Sequence, residues 1–269
     1  MQTSKTISFF WANKTMSWLR YMTLFSFRKY NPEWVINLYL SEQKINKNVW
    51  DTPESQDFIS KDYFNLLSGL NIDIKDYEIK SKNEEDLSPP QRSDLFEWDI
   101  LATSGGFYSD MDVLFLKSIN DLYEKTKDYD TGICYTEYYS IGFMFSNGNN
   151  KFFKDVYDGF YNKFDKSDSQ GAGSTGIGRR WPSVKDIESN YGKVYNIPFN
   201  FFYKYDSNNV EKIYEINDLY SMDENCVGLH WYAGHSLSQQ INSILNESNY
   251  KEQNTLLSRI LKKVLEQKD

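Results

Sequence analysis

Arg92-Ser93-Asp94, followed by Gly105-Gly106-Phe107-Tyr108-Ser109-Asp110-Met111-Asp112, holds the residues best suited to chemistry in this sequence. In an extended chain Asp110 and Asp112 lie two apart, so their carboxylates present on one side while Met111 turns inward. Two convergent carboxylates repel one another unless a cation or a proton separates them. Their hard oxygens suit Mg²⁺ or Mn²⁺, ions that keep open positions for the phosphate oxygens of a substrate. The Gly-Gly turn before the pair and the apolar run Val113-Leu114-Phe115-Leu116 after it place the acids at a sheet edge over the core. A helix and a turn can bring Arg92 and Asp94 back beside that edge; the same residues can instead cap the helix, whose dipole favours an acid in the first turn. His230, one of two histidines, follows an apolar strand, and imidazole is a common metal ligand as well as a common structural group.

These side chains need a scaffold. Residues 7–11 read as a short buried strand, 17–30 as a helix with Leu19, Met22, Leu24 and Phe25 on one side, and 34–40 as a second strand. That opening is a βαβ unit, the seed of a parallel sheet. A short helix is expected at 61–70, a polar loop at 80–90 and a helix from 91 to 104 that ends at Gly105-Gly106. Residues 107–116 read as one central strand, apolar on both faces over its second half. Strands at 131–135 and 141–146, a helix at 151–164 and a last strand at 226–231 follow. Residues 167–178, rich in Ser and Gly and without periodicity, predict a mobile loop. Leu257, Ile260, Leu261, Val264 and Leu265 form one stripe of a C-terminal packing helix within 250–269. No repeat or linker divides residues 1–269, so a single α/β domain with a mostly parallel central sheet flanked by helices is expected.

Composition narrows the partners. A chain of 269 residues is ample for a core, and 40% hydrophobic with 17% aromatic content excludes disorder along its whole length. A formal charge of −8 argues against a broad nucleic-acid footprint, so an anionic ligand needs local help. Cys134 and Cys226 are too few for a disulfide framework and lack zinc-knuckle spacing, which points to a reducing compartment. No run approaches the ~20 apolar residues of a membrane span or forms a signal-peptide core. A cytoplasmic protein with no transmembrane segment is expected.

Arg92-Ser93-Asp94, the helix after it, Gly105-Gly106, Tyr108, Asp110 and Asp112 together resemble the signature of DXD-motif glycosyltransferases of the GT-A fold, family 32 type. That group includes yeast-type initiating mannosyltransferases, bacterial capsule and lipopolysaccharide transferases and, more distantly, the glucosylating toxins of clostridia. The close likeness covers residues 92–116. It implies a Rossmann-like GT-A domain and a hexosyltransferase that moves a sugar from a UDP or GDP sugar, UDP favoured, to a glycan or glycolipid, as in polysaccharide biosynthesis. It further implies Mn²⁺ or Mg²⁺ as cofactor and retention of configuration. By the resemblance Asp112 binds the ion directly, Asp110 contacts the ribose or the ion through water, and Asp94 and Tyr108 face the donor sugar and its phosphates. Arg92 belongs to the same donor-binding set. Trp11, at the end of the first strand, would stack on the base, although a tryptophan there serves a core equally well. His230-Trp231-Tyr232-Ala233-Gly234 resembles the stretch in which a His before Ala-Gly completes the metal site, and His235 would donate to the diphosphate.

Two positions depart from the family pattern. Ser followed by Trp is usual where His235-Ser236-Leu237 stands, and toxin-like members carry Arg where this chain has Glu97. Two other classes use the same parts: a metal-dependent phosphohydrolase or nucleotidyltransferase, and a non-catalytic nucleotide or glycan binding module.

Overall fold

In the computed structural model, which describes residues 5–12, 15–41, 61–79, 87–163, 173–215 and 222–266, the chain opens with β1 (Thr6–Trp11), α1 (Trp18–Tyr30) and β2 (Val35–Leu40). A 3₁₀ turn (Phe64–Leu70) leads to β3 (Asp73–Asp76), then come α2 (Pro89–Thr103), β4 (Gly106–Ser109), β5 (Val113–Phe115) and α3 (Asn120–Thr126). β6 (Thr131–Tyr135), β7 (Tyr139–Ser146), α4 (Lys151–Lys163), α5 (Ser174–Arg180), α6 (Val184–Tyr191) and β8 (Val194–Asn196) complete the main layer. The last part holds α7 (Glu211–Tyr214), β9 (Gly228–His230), α8 (Ser236–Ile244) and α9 (Leu256–Glu266).

The main sheet runs β3-β2-β1-β4-β7-β6-β8. All its pairings are parallel except those of β7, which is antiparallel to β4 and β6. This is the α/β class expected, with a mostly parallel sheet flanked by helices. The chain winds outward from β1 through β2 to β3, then returns to the other side of β1 with β4. Such a reversal leaves a crevice at the carboxyl ends of the two central strands.

Side-chain alternation explains how the sheet is covered on both faces. Phe9, Phe107, Phe143 and Phe145 point into one core with Phe27 and Trp34, while Phe10, Tyr108 and Met144 point into a second with Phe96, Trp98 and Phe152. A third core joins Leu19 and Met22 of α1 to Leu114, Leu229, Trp231 and the α9 residues Leu257, Ile260, Leu261 and Val264. Helix α1 is therefore buried on several sides rather than along the single stripe expected, since Leu24 enters the first core and Leu19 and Met22 the third. Its start is set by Ser17, whose hydroxyl accepts from the Arg20 N–H. Its end is set by Asn31, whose backbone and side-chain N–H groups both donate to the Phe27 carbonyl.

Several local expectations are corrected. Residues 107–116 are not one strand: β4 stops at Ser109, Asp110 to Asp112 turn, and β5 leaves the main sheet to pair with β9. Carboxylates inside a covered sheet would be stripped of water, so the chain exits where they begin. Pro89 and Pro90 start α2 instead of preceding it, because Ser88 caps the helix in a capping box with Gln91 and Pro needs no N–H partner in the first turn. Of the expected 167–178 loop, 167–172 lie outside the described residues, and Ser174–Arg180 is helical. The C-terminal packing helix is Leu256–Glu266, and no helix among the described residues is long and apolar enough to cross a membrane.

The entry to β4 depends on Gly105, which sits at φ +69° against the backbone of Gly148 and Ser146, where a Cβ has no room. Gly105→Ala is expected to lower stability by at least about 2 kcal/mol, from left-handed strain plus overpacking. Urea unfolding checks this; a wild-type midpoint would show that the turn relaxes freely.

Candidate active site

A cavity of about 230 Å³ opens at the reversal point between β1 and β4. The end of β1 contributes Trp11, α1 contributes Arg20, the first turns of α2 contribute Pro89, Pro90, Ser93 and Asp94, and the turn after β4 contributes Asp110 to Asp112. Ala233 and Gly234 close it from the segment after β9.

The turn is held from beneath by polar groups of α1. The Thr23 hydroxyl donates to the Met111 carbonyl (3.1 Å), and the Ser26 hydroxyl accepts from the Phe115 N–H (3.0 Å). These buried hydroxyls satisfy backbone that the turn would leave unpaired. On the other side β9 pairs with β5 so that His230 lies opposite Val113. The Trp231 N–H donates to the Asp112 carbonyl (2.9 Å), and the Ala233 N–H donates to Asp112 Oδ2 (2.8 Å).

As a result Asp110, Asp112 and His230 converge, with one ligand atom from each lying within 4.8 Å of the others. His230 Nε2 is 3.1 Å from Asp112 Oδ1 and 3.7 Å from Asp110 Oδ2. Yet neither imidazole nitrogen has a hydrogen bond of good geometry, although the ring is only 8% exposed. Buried polar atoms left in that state ask for a further partner. Space for one exists. Gly142 of β7 faces the cluster, and a Cβ there would lie 2.9 Å from both Asp110 Oδ2 and His230 Nε2. Two carboxylates, one imidazole and a bare glycine in front of them fit a divalent cation.

Electrostatics agree with that fit. Burial disfavours charge on Asp112, but His230, Arg20 and the Ala233 N–H together hold its carboxyl well below the usual carboxylate range. Burial likewise opposes charge on His230, and Asp112 with Asp110 more than offsets it, raising the imidazole to about 9. A cation bound at Nε2 must displace that proton. Asp94 is pushed up to about 8 by burial and then by Asp110. Glu97, buried behind it on α2, is raised well above the carboxylate range by burial and by both aspartates.

The residues singled out in the sequence take different places. Trp11, Asp94, Asp110 and Asp112 line the cavity, and His230 stands beside the two motif aspartates. Tyr108 is fully buried, and its hydroxyl donates to Asp110 Oδ1 (2.6 Å) and contacts Ser93 Oγ (2.9 Å), so it orients the carboxylate from behind. Arg92 is also fully buried, and its Nε donates to the Leu87 carbonyl at the start of α2. His235 caps α8, its Nδ1 accepting from the Leu237 N–H (3.3 Å), and it does not line the cavity. Trp11 donates its indole N–H to the Thr15 carbonyl (3.1 Å).

Two participants went unnoticed in the sequence. Gly142 carried a usable signal, because a lone glycine inside a strand often marks a close approach. Arg20 carried none, since a cation on a helix ordinarily reads as a solvated face.

Residues 22–129 match a family described as glycosyltransferase sugar-binding region containing DXD motif. The match takes in Asp94, Asp110 and Asp112 and identifies that segment as a DXD-type glycosyltransferase sugar-binding region. No curated protein matches the chain. Among solved structures, PaToxG glycosyltransferase is 16% identical with a TM-score of 0.49 over 96% of this chain and 86% of that one. Glycosyltransferase GlyE of Streptococcus pneumoniae TIGR4 is 12% identical with a TM-score of 0.48, over 97% of this chain and 61% of its own length. Galactosyltransferase LgtC, solved with donor and acceptor sugar analogs, is 12% identical with a TM-score of 0.41, over 92% and 99%.

Gly142→Ala places a methyl group in the gap that Asp110 and His230 face. Mn²⁺ affinity, read by electron paramagnetic resonance or calorimetry, is expected to fall at least about tenfold while the far-UV spectrum stays native. Wild-type Mn²⁺ binding by this variant would show that the gap does not belong to an ion.

Proposed function

We propose that this protein is a metal-dependent hexosyltransferase, residues 1–269 acting as one GT-A-like domain, that moves a sugar from a nucleotide-sugar donor to a hydroxyl of a glycan or glycolipid. A UDP sugar is the favoured donor, and retention of configuration is the favoured outcome. The observation that carries this reading is the meeting of His230 with Asp110 and Asp112 at the mouth of a crevice between β1 and β4. Cytoplasmic action is in keeping with the two buried, unpaired cysteines, Cys134 and Cys226.

Mn²⁺ or Mg²⁺ held by Asp110, Asp112 and His230 would supply Lewis-acid neutralisation of the charge that builds on a departing diphosphate. The protein's own groups do the positioning. Ala233 N–H and Trp231 N–H lock both the side chain and the backbone of Asp112, so its free oxygen points at His230. Tyr108 occupies Asp110 Oδ1 and leaves Oδ2 on the His230 side. Trp11 offers an indole at the end of β1 for a nucleobase, and Asp94 faces the same space from α2, where a donor sugar would lie. A site organised in advance of charge development needs no rearrangement during reaction, which is why fixed partners matter here.

The test is a donor panel of UDP and GDP sugars with Mn²⁺, following nucleotide release with and without glycan acceptors. Release is expected with at least one donor, to vanish in EDTA, and to fall by about 10²–10³ in Asp112→Asn, the scale of losing one fixed electrostatic contact at a reacting centre. Activity that survives both treatments overturns the metal-centred assignment. Inorganic phosphate or pyrophosphate as the product points to a phosphohydrolase or nucleotidyltransferase. Tight nucleotide binding with no turnover points to a binding module.

A further inference from the structure

The cavity is lined by three acids, Asp94, Asp110 and Asp112, yet the donor proposed for it carries a diphosphate. One cation stands among its described lining residues: Arg20, from the first turn of α1. Its guanidinium lies over two indoles. The guanidinium carbon is 5.0 Å from the Trp11 ring, at the end of β1, and 5.1 Å from the Trp231 ring, which follows His230. The residue is only 7% exposed, so the charge sits close to the cavity with little water around it. A cation placed over aromatic faces is stabilised there, and a guanidinium presents its N–H donors in one plane.

That arrangement suits a phosphate. Planar N–H pairs match two oxygens of a phosphate, and clamping the group beforehand removes much of the entropy cost of ordering it. Arg20 also lends positive charge to Asp112, so it stands on the side of the cavity where the cation ligands lie. A stacked arginine with no ligand role would serve as well on a closed surface, whereas this one borders the crevice between β1 and β4.

We infer that Arg20 is a phosphate-binding residue of the donor site, taking oxygens of the nucleoside diphosphate and giving the cavity an anion site that belongs to the chain itself. The inference rests on the nucleotide-sugar reading above. Its consequence is that part of diphosphate recognition is independent of metal. UDP or GDP binds in the absence of divalent ions, more weakly than with them, and this residual binding runs through Arg20.

The experiment is calorimetry on the full chain with UDP, GDP, uridine and inorganic pyrophosphate, each in EDTA and in Mn²⁺. Wild type, Arg20→Gln and Arg20→Lys are compared, with Mn²⁺ affinity and the thermal midpoint measured for each. In EDTA, Arg20→Gln is expected to weaken diphosphate binding by about tenfold to a hundredfold, the scale of one charge-assisted hydrogen-bonded contact. Uridine binding stays within about twofold, Mn²⁺ affinity does not fall, since a positive charge near Asp112 is lost, and Arg20→Lys recovers part of the loss. Undiminished diphosphate binding in Arg20→Gln overturns the inference. So does a parallel loss of uridine and Mn²⁺ binding, which marks Arg20 as a structural clamp for Trp11 and Trp231. Pyrophosphate separates this idea from the donor reading. Pyrophosphate binding that needs Arg20, with no nucleotide bound even in Mn²⁺, sinks the nucleotide reading and keeps the anion site. Failure of wild type to bind pyrophosphate or any nucleotide overturns both.

Discussion

The short antiparallel ladder between β5 and β9 is the constraint on which the rest of the site depends. It sets Val113 opposite His230 and so carries an imidazole from late in the chain to a carboxylate that follows β4. Its register is decided by packing, since Leu114 and Leu229 must both enter the core shared with α1 and α9. A slip of one residue would turn those side chains outward and take His230 away from Asp112. The chemistry at the rim is in this sense secured by apolar burial beneath it.

The same logic explains why α1 contains buried hydroxyls. Thr23 and Ser26 are both fully buried, and each meets backbone of the segment from Met111 to Phe115. Where the chain leaves the sheet, the ladder stops providing partners. The helix supplies them, so the carboxylates are held without a strand continuing through them. Tyr108 performs a related task, with its ring in the core on one face of the sheet and its hydroxyl on Asp110.

Charge in the cavity is balanced locally. The chain carries a net −8, and the cavity concentrates acids further, so any anionic ligand meets repulsion except where Arg20 or a cation at the Asp110, Asp112 and His230 cluster offsets it. Glu97 and Asp94, buried beside these acids, avoid adding to that repulsion by holding their protons to higher pH than free carboxyls do.

Much of the fold was legible because it is written in local patterns. The opening βαβ unit, the helix after Ser88, the Gly105-Gly106 break and the amphipathic α9 follow from periodicity, caps and turn chemistry within a few residues of one another. Short elements such as β3, whose residues are exposed on both faces, left no periodicity to read. Of the site, the sequence by itself determined the carboxylate pair and its taste for a hard cation, since those depend only on residue type and spacing. Tertiary structure alone decided which oxygens lie toward His230, that Tyr108 stands behind Asp110, that His235 caps a helix, and that Arg20 reaches the rings of Trp11 and Trp231. Those outcomes turn on partners such as Asp112 and Ala233, 121 residues apart, whose meeting is set by core packing that no local spacing encodes.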